Sequence, residues 1–139
     1  MANAPTLDRP AAAGAAASTF TLPGTEKSVR LARRQAESAC ADAGCPLGDV
    51  VALIVSELAT NAVLHSVSGR PGGTYTLRLV FSGASVLVEV QDQGPGPSPR
   101  ARDREACESG RGLELVSALS RDHGDDGRGL YWALAVWPA

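Results

Sequence analysis

The feature that most constrains the fold is a long apolar stretch that carries three polar side chains in one line. Residues 49–66 are dominated by Val, Ala, Leu and Ile and are closed by the turn-forming sequence SGRPGG, so they predict a largely buried helix. Within it, Glu57, Asn61 and His65 follow one another at intervals of four residues. At about 3.6 residues per turn, successive members are about 40° apart and share a face.

This polar line has two interpretations. One is a stripe that faces solvent, which is common on amphipathic helices. The other is a functional site, because a solvated stripe is usually built from Lys, Glu and Arg, whereas Asn is a poor helix former. A carboxylate beside a carboxamide suits a divalent cation and a reacting hydroxyl or water.

Length and charge limit the class of protein. The 139 residues, 44% of them hydrophobic, fit one domain with its own core. The net charge is −2 and the arginines are scattered, so we expect neither a basic face nor direct binding of nucleic acid.

The cysteines and the amino-terminal sequence indicate where in the cell the protein is located. Cys40, Cys45 and Cys107 are odd in number and form no CxxC pair, which favours reduced core or loop residues. The first residues lack the basic start and Leu-rich run of a signal peptide or membrane anchor. We therefore expect a cytoplasmic protein that does not bind a membrane.

The rest of the chain is organised around the apolar helix. Residues 1–17 are rich in Ala, Pro and Gly and predict a disordered tail, which leaves 18–139 as the domain. Periodicity and turn residues predict, in order, a strand at 19–24, a helix at 26–44, the helix at 49–66, a hairpin of 74–81 and 85–92, a twenty-residue loop at 93–112, a helix at 113–122 and a strand at 129–137.

A second motif lies at the end of the hairpin, where VEVQDQGPGP places Asp92 before Gly94 and Gly96. Glycine lets the backbone approach a flat ligand, and a carboxylate accepts a hydrogen bond from an exocyclic amine. An ordinary tight turn is the alternative, because Asp and Gly dominate turns. It is not a dinucleotide fingerprint, since Pro97 and Pro99 prevent the immediate helix which that site requires.

A third motif is ESGRGLELV, in which Gly110 and Gly112 open a helix. Exposed N–H groups at a helix start attract phosphate. Ser109 acting as an ordinary helix cap is the alternative. A Walker-type phosphate loop is excluded, because Lys27 is the only lysine and no GxxxxGK exists.

The order of the three motifs resembles the GHKL superfamily, whose nucleotide-binding domain is called the Bergerat fold. Residues 57–65 correspond to its N box, 92–96 to its first glycine box and 110–113 to its second, and the resemblance spans 19–137. The chain is most similar to the single-domain anti-sigma factor kinases of bacteria, whose N box reads ExxxNAxxH. The resemblance implies an α/β two-layer sandwich with a mixed, mainly antiparallel sheet and helices on one face.

The resemblance also implies a role for each motif residue. Glu57 is the general base or orienter of the attacking hydroxyl, Asn61 is the Mg²⁺ ligand, and Asp92 accepts from the adenine amino group. Residues 97–109 correspond to the ATP lid, where Arg100, Arg102 and Arg104 reach phosphates or are simply solvated. The residues implied to contact ATP are Asn61, His65, Asp92, Gly94, Gly96, Gly110, Arg111, Gly112 and Leu113. For His65, a core or solvent-facing imidazole is the alternative.

The implied function is ATP-dependent serine/threonine kinase activity toward an anti-sigma factor antagonist, with a sigma factor as the second partner and a homodimer as the assembly. A regulatory binding module of the same fold, without kinase activity, is the alternative, and an unrelated α/β domain is a third reading. One departure bears on the choice. The family often has a Thr in the closing strand near the adenine, and residues 126–131, DGRGLY, lack it.

Overall fold

The structure is a computed structural model that describes residues 16–94 and 113–138. Most of the predicted tail and of the long loop lies outside these ranges. Among the residues singled out from the sequence, those outside are Gly96, Arg100, Arg102, Arg104, Cys107, Ser109, Gly110, Arg111 and Gly112.

The described chain forms five strands and three α-helices. In order, they are β1 (Ala16–Pro23), α1 (Glu26–Asp42), α2 (Gly48–His65), a 3₁₀ turn (Val67–Gly69), β2 (Thr74–Ser82), β3 (Ser85–Gln91), α3 (113–119), β4 (Asp122–Asp125) and β5 (Leu130–Val136). The first strand was expected at 19–24 and instead begins at Ala16, within the segment predicted as tail.

The five strands form one sheet in the order β1-β2-β3-β5-β4, and every described pairing is antiparallel. Alternate side chains of the three central strands, among them Leu77, Val88 and Ala133, join the residues of α1 and α2 in one core. The predicted two-layer α/β sandwich is confirmed. The helices therefore cover one face of the sheet, and α3 adds Val116 to the same core.

Helix α1 packs through small side chains. Thr25 caps its start by accepting the N–H of Ser28 at 3.2 Å, and Gly44, at φ +71°, follows its last residue and Ala43. Its buried residues are Ser28, Ala32, Ala36, Ala39 and Cys40. Small residues along this face let α1 pack closely against α2. The opposite face, which includes Arg30 and Arg34, is exposed.

Helix α2 is long and apolar enough, by length and composition alone, to cross a membrane. Its contacts show another role, because it packs on α1 and on the sheet. Eight of its residues are buried, including Ile54 and Leu58. It is thus the core helix that the sequence predicted.

The end of the chain was predicted only in part. The expected helix at 113–122 ends at 119, and the next residues form β4, which was not foreseen. The sequence of β4, DHGD, has no apolar periodicity, so it is a strand only because it pairs with β5. Gly124 lies opposite Trp132, and a Cβ at that position would come within 2.9 Å of the indole Cζ2.

Two of the three cysteines lie in the described chain, and both are buried free thiols. Burial, together with the neighbouring Cys45, raises the pKa of Cys40 to about 12. Cys40 is therefore a protonated core residue at neutral pH, and Cys40 and Cys45 agree with the prediction of reduced core or loop residues.

Candidate functional site

The polar line of α2 passes from half-exposed to buried positions. Glu57 and Asn61 are half-buried, whereas His65, at the last position of the helix, is only 9% exposed. Its Nδ1 atom has no hydrogen-bond partner among the described residues. A stripe made only for solvent would not end in a buried imidazole, so the line differs from the solvated face of α1.

The 3₁₀ turn that follows α2 is hydrogen-bonded to the segment that follows β3. The N–H of Val67 donates to the carbonyl of Gly94 at 2.9 Å, and the N–H of Gln93 donates to the Ser68 hydroxyl at 2.9 Å. Val67 and Gly94 each follow a motif residue by two positions, namely His65 and Asp92. The structure therefore brings the first two predicted motifs together at one edge of the domain.

The segment after α2 is shaped by serine side chains. The Ser66 hydroxyl donates to the carbonyl of Ala62 at 2.6 Å and accepts the N–H of Ser68 at 3.0 Å. Ser68 itself is fully buried. Sequence reasoning treated SGRPGG as a turn and missed this role, although serines directly after a polar helix seam are a signal for it.

Glycines let two chain segments close on Ser68. A Cβ at Gly24 or Gly73 would collide with the Ser68 carbonyl oxygen, and the N–H of Gly24 donates to the Gly73 carbonyl at 2.9 Å. The Pro-Gly turn after β1 is thereby fixed against the end of α2. Gly24 and Gly73 thus allow the backbone segments to pack closely next to the candidate site.

Asp92 is held by its own turn and by the closing hairpin. Its Oδ1 atom accepts the N–H of Gly94 at 2.7 Å, and its backbone N–H donates to the carbonyl of Gly129 at 2.8 Å. Gly94 has φ +97°, a conformation that side-chain-bearing residues rarely adopt. A tight turn is therefore present. Because it fixes the carboxylate, it is also compatible with ligand recognition.

Gly129 was not recognised from the sequence as part of the site. It has φ +108°, and a Cβ there would collide with Asp92 Oδ1. The segment was noted only because it lacks a Thr. The signal that would have found it is a second Gly two residues after Gly127 in a turn before an apolar strand.

The third motif is described only at its end. Leu113 is the first residue of α3 and is 37% exposed. Its partners in the motif, residues 110–112, lie outside the described ranges. The predicted phosphate contacts therefore stay predictions.

Two cavities in the described chain lie away from the motif residues. The larger, of about 370 Å³, lies between the end of β1 and α1 and is lined by Pro23, Thr25, Lys27, Ser28, Arg30, Leu31 and Arg34. The smaller, of about 180 Å³, lies between α1 and α2. Neither is lined by Glu57, Asn61 or Asp92. We therefore define the candidate site by the three motifs and the contacts between them.

Comparison with known families agrees with this geometry. The family model of the histidine kinase-like ATPase domain matches residues 22–132. The match covers most of the 139 residues, so the chain belongs to this family. The resemblance to GHKL-type ATPases is confirmed, and ATP is the ligand expected of such a domain. A comparison with characterised proteins gave no match.

The chemistry of two described residues suits the ATP ligand that this family implies. Asp92 is a carboxylate fixed in a turn in which Gly94 has a positive φ, and His65 presents a buried nitrogen without a described partner. No group of three or more His, Cys, Asp or Glu side chains is placed to hold a metal in the described ranges. Mg²⁺ needs no such group, since it is commonly bound by one or two protein oxygens together with substrate phosphates. Asn61 is the predicted protein ligand.

Proposed function

We propose that this protein is an ATP-dependent serine/threonine kinase that phosphorylates an anti-sigma factor antagonist. The proposal is supported by the hydrogen bond between Val67, after α2, and Gly94, after β3, which connects the helix of Glu57 and Asn61 with the turn of Asp92. Glu57 favours transfer over simple binding, because binding alone requires no base.

Each residue would have a separate task. When bound, ATP would supply the phosphoryl group for a Ser or Thr hydroxyl of the partner. Asn61 would hold Mg²⁺, and Asp92 would accept a hydrogen bond from the adenine amino group. Glu57 would orient the hydroxyl and take its proton. Positioning and charge stabilisation account for most of the catalysis in such reactions.

The partners follow from the resemblance to anti-sigma factor kinases. A sigma factor would be held inactive by this protein, and phosphorylation of the antagonist would leave the protein free to hold it. A homodimer is the proposed assembly, with β1, an edge strand of the sheet, as the element to examine. The cytoplasm is the proposed location.

Calorimetry with ATP and ADP, in the presence and absence of Mg²⁺, tests the first step. We expect Mg²⁺-dependent binding of ATP by the wild type and a loss of binding in Asp92→Asn. Asp42→Asn is the matched control, since it removes the same charge from an exposed position at the end of α1. Equal binding by wild type and Asp92→Asn would contradict the assigned recognition of adenine.

A second candidate function is nucleotide-dependent or nucleotide-free regulation without catalysis. It is favoured by residues 126–131, DGRGLY, which lack the Thr that the family often has in the closing strand. Leu130 begins β5. Its backbone N–H donates to Asp126 Oδ1 at 3.0 Å, but its side chain offers no hydroxyl to a ligand. ATP binding by the wild type, without phosphate transfer to any antagonist, would support this candidate.

A further inference from the structure

The turn that joins β4 to β5 is shaped by two aspartates. Asp125 Oδ2 accepts the N–H of Gly127 at 3.0 Å. Asp126 Oδ1 accepts the N–H of Arg128 at 2.7 Å and that of Leu130 at 3.0 Å. The N–H of Asp126 in turn donates to the Leu130 carbonyl at 3.0 Å. Together with the Asp125 bond, these hydrogen bonds fix the path of residues 126–130.

The fixed turn places Gly129 directly against Asp92. The Gly129 carbonyl accepts the Asp92 N–H at 2.8 Å, and a Cβ on Gly129 would collide with Asp92 Oδ1. Gly127, in the same turn, also has a positive φ, at +73°, but a Cβ there would meet no atom within 4 Å. Two glycines of one turn thus share the same backbone requirement, and only one of them contacts the carboxylate.

We propose that Gly129 is a positioning residue for Asp92, and that Asp126 holds Gly129 in place. Because residue 129 has no side chain, the β4–β5 hairpin lies close to Asp92, and the Gly129 carbonyl accepts a hydrogen bond from the Asp92 N–H. The carboxylate is then fixed from two sides, by the turn to Gly94 and by the hairpin. The inference deepens the proposed function and rests on it for the identity of the ligand, the amino group of an adenine base.

The test compares Gly129→Ala with Gly127→Ala. Both variants place a side chain at a positive φ, so both pay a similar backbone cost and both should lower the melting temperature. The ligands are ATP and purine riboside triphosphate, which lacks the exocyclic amine. We expect Gly129→Ala to raise the Kd for ATP about tenfold or more and to reduce the preference for ATP over the analogue. Gly127→Ala should keep both values within about twofold of wild type.

A second pair of variants tests the role of Asp126 if Gly129→Ala does not fold. Asp126→Ala removes the acceptor of both turn N–H groups, whereas Asp126→Asn keeps a carbonyl oxygen for them. We expect Asp126→Ala to reduce the preference for ATP and Asp126→Asn to retain it. A general loss of stability alone would lower both affinities equally and leave the preference unchanged.

Two outcomes would overturn the proposal. One is a Gly129→Ala protein with the ATP preference of Gly127→Ala. The other is unchanged hydrogen exchange of the Asp92 amide, measured by NMR in the same two variants, which needs no nucleotide. If the wild type bound no ATP, the proposed function would fail, and amide exchange would still decide whether Gly129 positions Asp92. Faster exchange in Gly129→Ala than in Gly127→Ala is the expected result.

Discussion

The Ser68 hydroxyl is buried between two motifs and accepts the backbone N–H of Gln93 at 2.9 Å. This bond ties the segment after α2 to the residue that follows Asp92. A serine outside any predicted motif therefore helps to set the relative position of the helix with Glu57 and the strand end with Asp92.

We expect Ser68→Ala to lower the free energy of unfolding by about 1 kcal/mol, the usual value of one hydrogen bond, and also to weaken ATP binding. Denaturant unfolding and calorimetry measure the two effects. Ser85→Ala is the matched control, because its hydroxyl donates to Ser82 in the β2–β3 turn. An ATP affinity that falls equally in both variants would contradict a specific role for Ser68.

Glu57→Ala should reduce phosphate transfer at least about 100-fold, since it removes the proposed base. The Kd for ATP should stay within about twofold of wild type. Transfer to a candidate antagonist is the main assay, and basal ATP hydrolysis gives the same comparison with water as acceptor. Glu37→Ala, on the exposed face of α1, is the control. Unchanged transfer would show that Glu57 is not the base.

Stability should fall at alkaline pH because of Cys40. Burial raises the pKa of Cys40 to about 12 from an ordinary value of 9.0. Between these values the thiol ionises in the unfolded chain but not in the folded one, so stability is fully present below pH 9 and is lost as pH approaches 12. The free energy of unfolding, measured from pH 8 to 10, should fall less steeply in Cys40→Ala. Equal slopes would contradict the raised pKa.

The contact of α1 with β2 includes a buried hydrogen bond between the Ser28 hydroxyl and the Tyr75 hydroxyl, at 2.8 Å. Since Ser28 donates to the Thr25 carbonyl, Tyr75 is the donor in this pair. Tyr75→Phe should cost about 1 kcal/mol in urea unfolding at pH 7. In combination with Ser28→Ala the losses should not add, because both variants remove the same bond. Additive losses would contradict the pairing.

Gly124→Ala should disturb the indole of Trp132, which a Cβ would approach within 2.9 Å. We expect a loss of about 1 kcal/mol and a change in tryptophan fluorescence. Gly48→Ala is the control, since the nearest atom to its Cβ, the Cys40 Cβ, lies 3.9 Å away. An unchanged emission spectrum in Gly124→Ala would contradict this packing.

Periodicity in the sequence was sufficient to predict α1, α2 and the β2–β3 hairpin. The predicted ends of α2 differ from the observed ones by one residue at each end. Strand β4 could not be predicted, because DHGD has no preference of its own and becomes a strand through pairing with β5. The preference of a segment for strand or helix depends on its neighbours in sequence, whereas the pairing of β4 with β5 depends on neighbours in space.

The sequence by itself determined the apolar helix with Glu57 and Asn61, the Asp-x-Gly turn after β3 and the class of domain. Only the tertiary structure decided which residues support Asp92. Ser68 precedes it by 24 positions and Gly129 follows it by 37, so no spacing rule connects them to the motif. Ser68 acts through a hydrogen bond of its hydroxyl, and Gly129 acts because it has no Cβ to collide with Asp92. Both contacts arise only when the sheet and helices pack together.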